Sequence, residues 1–230
     1  MDLKSLWAQI EAEYTKRTDE LRFFQNQISK LDNDDEKNQY RRALILLLYA
    51  HFEGFCKFSF ALYISAINSE GLTCKEINFP LATATLHQTF KELRNPSSKS
   101  TEFKYALPDD AKLHMLARDR EFVEKTIEFE NKAVRIPDDV VDTESNLKPI
   151  VLRKNLYRLG FQFDMFKALE WQIDKLLEAR NGIAHGVIIS GISEKDYEER
   201  RKSALTIMTE VKSVVMKALT DKAYLRLTGT

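Results

Sequence analysis

The feature that most constrains the fold of this chain is a long apolar run over residues 43–67. The ionisable side chains of His51, Glu53 and Lys57 lie at its centre, which argues against a membrane span, because such groups are costly within a bilayer. The run belongs to a helix predicted over 39–68 that is apolar on nearly all sides. A helix of this kind has to be surrounded by others, so we expect a helical bundle with this helix at its core.

Amphipathic periodicity predicts further helices on both sides of the core helix. Apolar residues recur at three- or four-residue spacing over 3–31, and the same period predicts helices that begin near Pro149 and near Asp164. Ser193-Glu-Lys-Asp196 has the form of a capping box that begins a long closing helix. With 7 Gly and 5 Pro among 230 residues, turn formers are few. The predicted fold class is therefore all-α.

The middle of the chain is predicted to be its variable part. Weaker helical periodicity covers 83–93 and 109–130, whereas Asn95-Pro-Ser-Ser-Lys-Ser-Thr101 has the composition of an exposed loop. We therefore expect a single helical domain over 1–230, with a less regular excursion over 95–145.

Charge and cysteine content limit the cellular setting. Lys plus Arg and Asp plus Glu are equal at 35 each, so no net field attracts nucleic acid, and any RNA contact has to be local. Cys56 and Cys74 match no metal-binding or redox spacing, which favours free thiols in a reducing compartment. The first residues carry an early acid and no apolar stretch of the kind that a signal peptide needs. A cytoplasmic location is expected.

The main candidate site is Glu178-Ala-Arg-Asn-Gly-Ile-Ala-His-Gly186, at the end of a strongly periodic helix. Arg180 offers a planar, permanently charged fork that suits phosphate oxygens, and His185 transfers protons near neutral pH. Asn181 shares a helix face with His185, so its amide can orient the imidazole or the phosphate. Arg180 lies about 140° round an ideal helix from His185, so Gly182 is predicted to mark a distortion that brings them together. Spacing alone favours a simpler interpretation, a helix-capping arginine and a turn histidine.

Three segments of the chain resemble a known group of proteins. Arg-Asn-x-x-Ala-His-Gly resembles the motif of the HEPN superfamily, an Arg followed after four to six residues by His, commonly with a polar residue directly after the Arg. Leu46-Leu-Leu-Tyr-Ala-His-Phe-Glu-Gly-Phe55 and Glu144-Ser-Asn-Leu-Lys148 resemble the RiboL-PSP-HEPN branch. Together these likenesses cover most of the chain. They imply a helical bundle that forms a homodimer, in which two Arg–His motifs face one cleft and cut single-stranded RNA without metal.

The resemblance implies a metal-independent endoribonuclease with no cofactor. Arg180 is then assigned to the phosphate charge of the transition state, and His185 to proton transfer at the 2′-hydroxyl or the leaving 5′-oxygen. The products are a 2′,3′-cyclic phosphate and a 5′-hydroxyl end. A toxin or antiviral-defence effector, restrained by an antitoxin or another defence-system protein, is the implied role. A non-catalytic HEPN module for dimerisation or docking, and a helical nucleotide-binding regulator, stay open as alternatives.

One departure from the group limits what the resemblance implies. Val187 stands where some members carry a tyrosine two residues after the histidine. Control by nucleotide attachment to that tyrosine is therefore not expected.

Additional residues are candidates for supporting roles. Glu53 is predicted to hold Arg180, with a simple pair to Lys57 as the alternative. Lys154 and Arg158 make a short helix locally basic, which suits contacts with RNA phosphates, although a solvated surface explains them equally simply.

Histidine spacing argues against a metal site. His51, His87, His114 and His185 are widely spread, and none lies in a metal-ligand pattern. His51 is interpreted as a satisfied core histidine. No metal ion is expected.

Overall fold

The computed structural model describes residues 1–100 and 110–226. Within these ranges the chain forms eight α-helices and no β-strand, so the predicted all-α fold class is confirmed. The helices are α1 Leu3–Gln25, α2 Asp34–Asn68, α3 Phe79–Thr85, α4 His87–Leu93, α5 Ala111–Phe129, α6 Pro149–Arg158, α7 Glu170–Ala184 and α8 Glu194–Thr220.

The chain divides into two compact units. Unit 1 comprises Met1–Ala66 and Asp138–Ala223 and contains α1, most of α2, and α6, α7 and α8. Unit 2 comprises Ile67–Pro137 together with the chain from Tyr224 onward, and contains α3, α4 and α5. The single domain over 1–230 stays a prediction.

Helix α2 forms the core of unit 1. It begins at Asp34, five residues before the predicted start, because the Asn33 side chain accepts a hydrogen bond from the Glu36 N–H at 2.8 Å and three acids occupy the first turn. By length and composition α2 could cross a membrane, yet 56% of its most apolar window is buried inside the protein. Its fully buried side chains include Ile45, Leu48, Tyr49, Phe52, Phe55 and Cys56. This burial is what a core helix requires.

Helices α1 and α8 lie antiparallel against each other in unit 1. Going forward along α1 and backward along α8, Glu11 accepts from Lys212 at 2.7 Å, and Gln25 donates to Glu198 at 2.7 Å. Helix α1 ends at Gln25 and is followed by a 3-10 helix at Ile28–Lys30, so the single helix predicted over 3–31 is wrong at its end. The capping box at the start of α8 is present, with the Ser193 hydroxyl accepting from the Asp196 N–H at 3.1 Å.

Helices α6 and α7 follow the loop that enters unit 1 at Asp138. Pro149 is the first residue of α6, as predicted, and Gly160 follows its end with a φ of +79°. The predicted helix start near Asp164 is too early, because α7 begins at Glu170 after a 3-10 helix at Lys167–Leu169. Arg153 of α6 forms a two-pronged ion pair with Glu170, at 2.5 and 2.7 Å.

Unit 2 carries the variable middle of the chain. Helix α5 agrees with the helix predicted over 109–130, so this part of the 95–145 excursion is regular. The periodicity over 83–93 corresponds to two short helices, α3 and α4, that meet at Leu86. Of the loop predicted over 95–101, residues 95–100 contain no helix or strand, and Thr101 lies outside the described residues.

Candidate active site

Arg180 is held in a fixed orientation near the C-terminal end of α7. Its Nη1 donates to the side-chain oxygens of Asn146, at 2.9 Å, and Asn181, at 2.7 Å. Its guanidinium carbon lies 5.2 Å from the centre of the Tyr49 ring, a cation–π contact. Arg180 is half-buried, so its charge is partly withdrawn from water and tied to three neighbours.

Tyr49 connects the guanidinium to the rest of unit 1. Only 2% of the residue is exposed, and its hydroxyl accepts a hydrogen bond from the Leu147 N–H at 2.7 Å. Burial raises the pKa of Tyr49 above its usual range, and the carboxylate of Glu53 raises it further. Since Asn146 directly precedes Leu147, the Tyr49 side chain both contacts Arg180 through its ring and fixes the backbone next to Asn146 through its hydroxyl.

The segment that carries Asn146 is anchored again by α6. The buried Asn155 side chain accepts from the Asp142 N–H at 3.0 Å and donates to the Asp142 carbonyl at 2.7 Å. Two non-glycine residues between these anchors, Glu144 and Ser145, have left-handed backbones with φ of +50° and +58°. Each left-handed non-glycine residue raises the free energy of the folded chain by on the order of 1 kcal/mol, so the surrounding contacts have to stabilise this turn.

His185 is exposed and follows the last residue of α7. Its N–H donates to the Asn181 carbonyl at 2.9 Å, so the helix is regular up to this point, and Gly186 ends it with a φ of +71°. The prediction that Gly182 distorts the helix is wrong. A Cβ at Gly182 would lie 2.6 Å from Ile188 Cδ1, so the glycine is there for close packing. Arg180 and His185 therefore stay about 140° apart around α7.

The loop after His185 exposes apolar side chains but is fixed at its far end. Val187 and Ile189 are 79% and 77% exposed. Arg42 donates to the Ile189 carbonyl, and the Ile192 N–H donates to the Asn38 carbonyl at 2.8 Å. An ordered apolar surface thus adjoins the histidine.

Comparison with known families identifies the chain. A family model described as RiboL-PSP-HEPN matches residues 12–217. The chain belongs to the RiboL-PSP-HEPN family. A search of curated proteins finds no match. A search of solved structures likewise finds none.

Family membership confirms the identification made from three motifs, and the structure brings those motifs into contact. Tyr49 and Glu53 come from the first motif, Asn146 from the second and Arg180 from the third, and all lie in unit 1. The three segments, separated in sequence, therefore build one cluster around Arg180.

Two residues predicted to support the site have partners other than those expected. The side chain of Asn181 binds Arg180, and its contact with His185 is through the backbone carbonyl. The carboxylate of Glu53 raises the pKa of Tyr49. Among the described residues, the partners of the Arg180 side chain are Asn146, Asn181 and Tyr49, and Glu53 forms no ion pair with Arg180 or with Lys57. The roles of Asn181 and Glu53 in catalysis stay predictions.

The two residues predicted to contact RNA already have partners within unit 1. Lys154 Nζ lies 2.8 Å from a carboxylate oxygen of Glu144, and Arg158 donates to the Val140 carbonyl at 3.4 Å. Both contacts are at the surface, where they contribute little to stability.

His51 is a buried residue of α2 that lies close to Glu20 of α1. Its Nε2 lies 3.4 Å from a Glu20 carboxylate oxygen and makes no hydrogen bond within the described part of the chain. Burial lowers the pKa of the imidazole. Over residues 1–100 and 110–226, no three His, Cys, Asp or Glu side chains are grouped closely enough to hold a metal ion.

Sequence reasoning missed Tyr49 and Asn146 as members of the site. Both lie inside the quoted motifs, and each carried a signal, namely a hydroxyl within an apolar helix and an amide just before a helix-starting proline. Neither signal reveals that the partner of both is Arg180.

Proposed function

We propose that this protein is a metal-independent endoribonuclease. The observation that carries the proposal is the pairing, on one helix end, of an arginine fixed by three neighbours with an exposed histidine. A pre-oriented guanidinium stabilises charge on a phosphate without reorganising during the reaction. An exposed imidazole transfers protons near neutral pH. Membership of the RiboL-PSP-HEPN family supports the same reaction class.

The reaction is a transfer of the phosphoryl group within RNA. The ribose 2′-oxygen attacks the adjacent phosphorus and loses its proton, while the bond to the 5′-oxygen breaks and that oxygen gains a proton. The products are a 2′,3′-cyclic phosphate and a 5′-hydroxyl end. His185 serves one of the two proton transfers, and Arg180 binds the phosphate oxygens on which negative charge builds.

A complete site is proposed to require two copies of the chain. Arg180 and His185 lie about 140° apart around α7, so the two side chains of one copy leave the helix in different directions. A homodimer supplies Arg180 from one copy and His185 from the other. The exposed Val187 and Ile189 beside His185 offer apolar surface for such an interface.

Lys154 and Arg158 are proposed to contact phosphates on either side of the cut. Lys154 has to exchange Glu144 for the RNA, and this exchange is cheap because an exposed ion pair contributes about 0–1 kcal/mol. The biological role that fits a cytoplasmic ribonuclease of this kind is a toxin or antiviral-defence effector held inactive by a partner protein.

The test compares wild type, Arg180→Ala and His185→Ala on unstructured RNA in excess chelator, with mapping of the product ends. The exposed His87 and Arg22 supply matched controls, as His87→Ala and Arg22→Ala. Each site variant is expected to lose on the order of 10²- to 10³-fold in rate, and neither control should change it. Cleavage that survives both site substitutions, or that needs added metal, contradicts the proposal.

Mixing the two inactive variants tests the composite site. A heterodimer of Arg180→Ala with His185→Ala retains one site with both groups intact, so random exchange of subunits restores about a quarter of wild-type activity. No restoration after verified exchange means that one chain forms the whole site. Dimers that bind nucleotides and gain thermal stability without cutting RNA indicate a regulator instead.

A further inference from the structure

The cluster around Arg180 contains two residues from outside α7, Tyr49 and Asn146, that contact the guanidinium. We propose that Tyr49 and Asn146 are positioning residues that hold the Arg180 guanidinium at the angle the scissile phosphate requires. The proposal rests on the ribonuclease function proposed above.

The first part of the argument is the geometry of the guanidinium. A free arginine side chain samples many rotamers, and the loss of rotamer entropy opposes any single one. Here the Tyr49 ring lies beneath the guanidinium at 5.2 Å, and the Asn146 side-chain oxygen accepts from Nη1 at 2.9 Å. The ring contacts the guanidinium from one side, and the side-chain oxygens of Asn146 and Asn181 both accept from Nη1, so rotation of the fork is restricted.

The second part is that the two restraints are linked. The Tyr49 hydroxyl accepts from the Leu147 N–H at 2.7 Å, one residue after Asn146. A shift of the Tyr49 side chain therefore moves the ring and the amide together. Arg180 is held by a connected unit, so a small displacement at Tyr49 is passed to the guanidinium.

The third part identifies what fixes Tyr49. Its hydroxyl accepts one hydrogen bond and still has its own proton to donate. Tyr49 is 2% exposed and lies on α2, the core helix of unit 1, so its surroundings hold the ring in place. The carboxylate of Glu53, four residues later on α2, raises the pKa of the hydroxyl and so favours its protonated form.

The test separates the two properties of each side chain. Asn146→Asp keeps an oxygen that accepts from Arg180, whereas Asn146→Ala removes it. Tyr49→Phe keeps the ring and loses the hydroxyl, and Tyr197→Phe is its matched control. Tyr197 is 1% exposed, and its hydroxyl has no hydrogen-bond partner among residues 1–100 and 110–226.

Asn146→Ala is expected to lower kcat by roughly 10- to 100-fold with little change in KM, because a misplaced group loses transition-state contacts. Asn146→Asp keeps the acceptor but adds a negative charge that competes with the phosphate for Arg180, so its loss should appear mainly as a higher KM. Tyr49→Phe should lower kcat less than Asn146→Ala does. Tyr197→Phe should match wild type. In the Arg180→Ala background, Asn146→Ala should cost no further activity. Equal losses in both backgrounds mean a merely structural role and overturn the proposal.

A second measurement keeps the proposal testable even if wild type does not cut RNA. In ¹H–¹⁵N NMR spectra, a held guanidinium gives separate Nη signals, which are assigned to Arg180 by their loss in Arg180→Ala. These signals should broaden toward merging in Asn146→Ala, in which the Asn181 oxygen still accepts from Nη1, and stay separate in Asn146→Asp. Merged signals in wild type, or no change in Asn146→Ala, overturn the positioning role independently of the ribonuclease assignment.

Discussion

Replacing the buried Asn155 with leucine is expected to destabilise unit 1 and to loosen the segment that carries Asn146. The Asn155 side chain is 1% exposed and makes three hydrogen bonds. Two of these join it to the backbone of Asp142, and the third is local, to the Val151 carbonyl one turn earlier in α6. Leucine has a similar size and removes all three.

The magnitude follows from the two bonds to Asp142. Each contributes about 1 kcal/mol net, so Asn155→Leu should lower the free energy of unfolding by about 2 kcal/mol. The local bond adds little because the Val151 carbonyl also belongs to the helix ladder. For a chain of this size, about 2 kcal/mol corresponds to a fall in Tm of roughly 4–8 °C.

Thermal unfolding followed by circular dichroism at pH 7 measures the effect, with Tyr157→Leu as the control. Tyr157 lies on the same helix and is 69% exposed, so its replacement should change stability by no more than about 0.5 kcal/mol. If Asn155→Leu has the same Tm as Tyr157→Leu and wild type, the hydrogen bonds to Asp142 do not stabilise the fold, and the reasoning fails.

Asn155→Asp refines the same prediction. The variant keeps the acceptor for the Asp142 N–H. In wild type the Asn155 amide nitrogen donates to the Asp142 and Val151 carbonyls, and in the variant a carboxylate oxygen faces these two oxygens instead. At pH 7 it should therefore be less stable than Asn155→Leu. Since protonation restores a donor, this variant should gain stability relative to wild type as the pH falls. A constant difference across pH contradicts that account.

Two further predictions concern packing in unit 1. Burial lowers the pKa of His51 from 6.5, so the unfolded chain binds more protons below that pH and stability falls as the pH drops through this range. The difference in unfolding free energy between wild type and His51→Gln should therefore shrink from pH 8 to pH 5.5 in urea titrations, and a constant difference contradicts it. Gly182→Ala should lower the Tm, because its Cβ would lie 2.6 Å from Ile188 Cδ1. In the Ile188→Ala background the same change should raise it, since alanine then contributes about 1 kcal/mol of helix propensity.

Helix positions were predictable because they depend on local periodicity. The closing helix α8 begins directly after its Ser193 cap, and α6 begins at Pro149. The predicted start of α2 was late because residues 34–38 are polar and add nothing to an apolar stripe, although Asn33 carries the capping signal. Local chemistry determined each of these ends.

The arrangement around Arg180 was not predictable in the same way. The hydrogen bond from Leu147 to Tyr49 joins residues 98 apart, and that from Arg180 to Asn146 joins residues 34 apart. Periodicity contains no information about such pairs. Gly182 shows the same limit, because a helical glycine permits a bend or a close approach, and only the position of Ile188 decides between them.

The discontinuity of unit 1 has a consequence for synthesis on the ribosome. Residues 67–137 separate its two stretches, and its long helix α1 pairs with α8, which begins only at Glu194. A nascent chain interrupted before that point has Tyr49 and even Arg180 but lacks the partner of its first helix. For the proposed ribonuclease, unit 1 therefore cannot close before α8 has been made, even though every residue of the cluster around Arg180 precedes α8 in the chain.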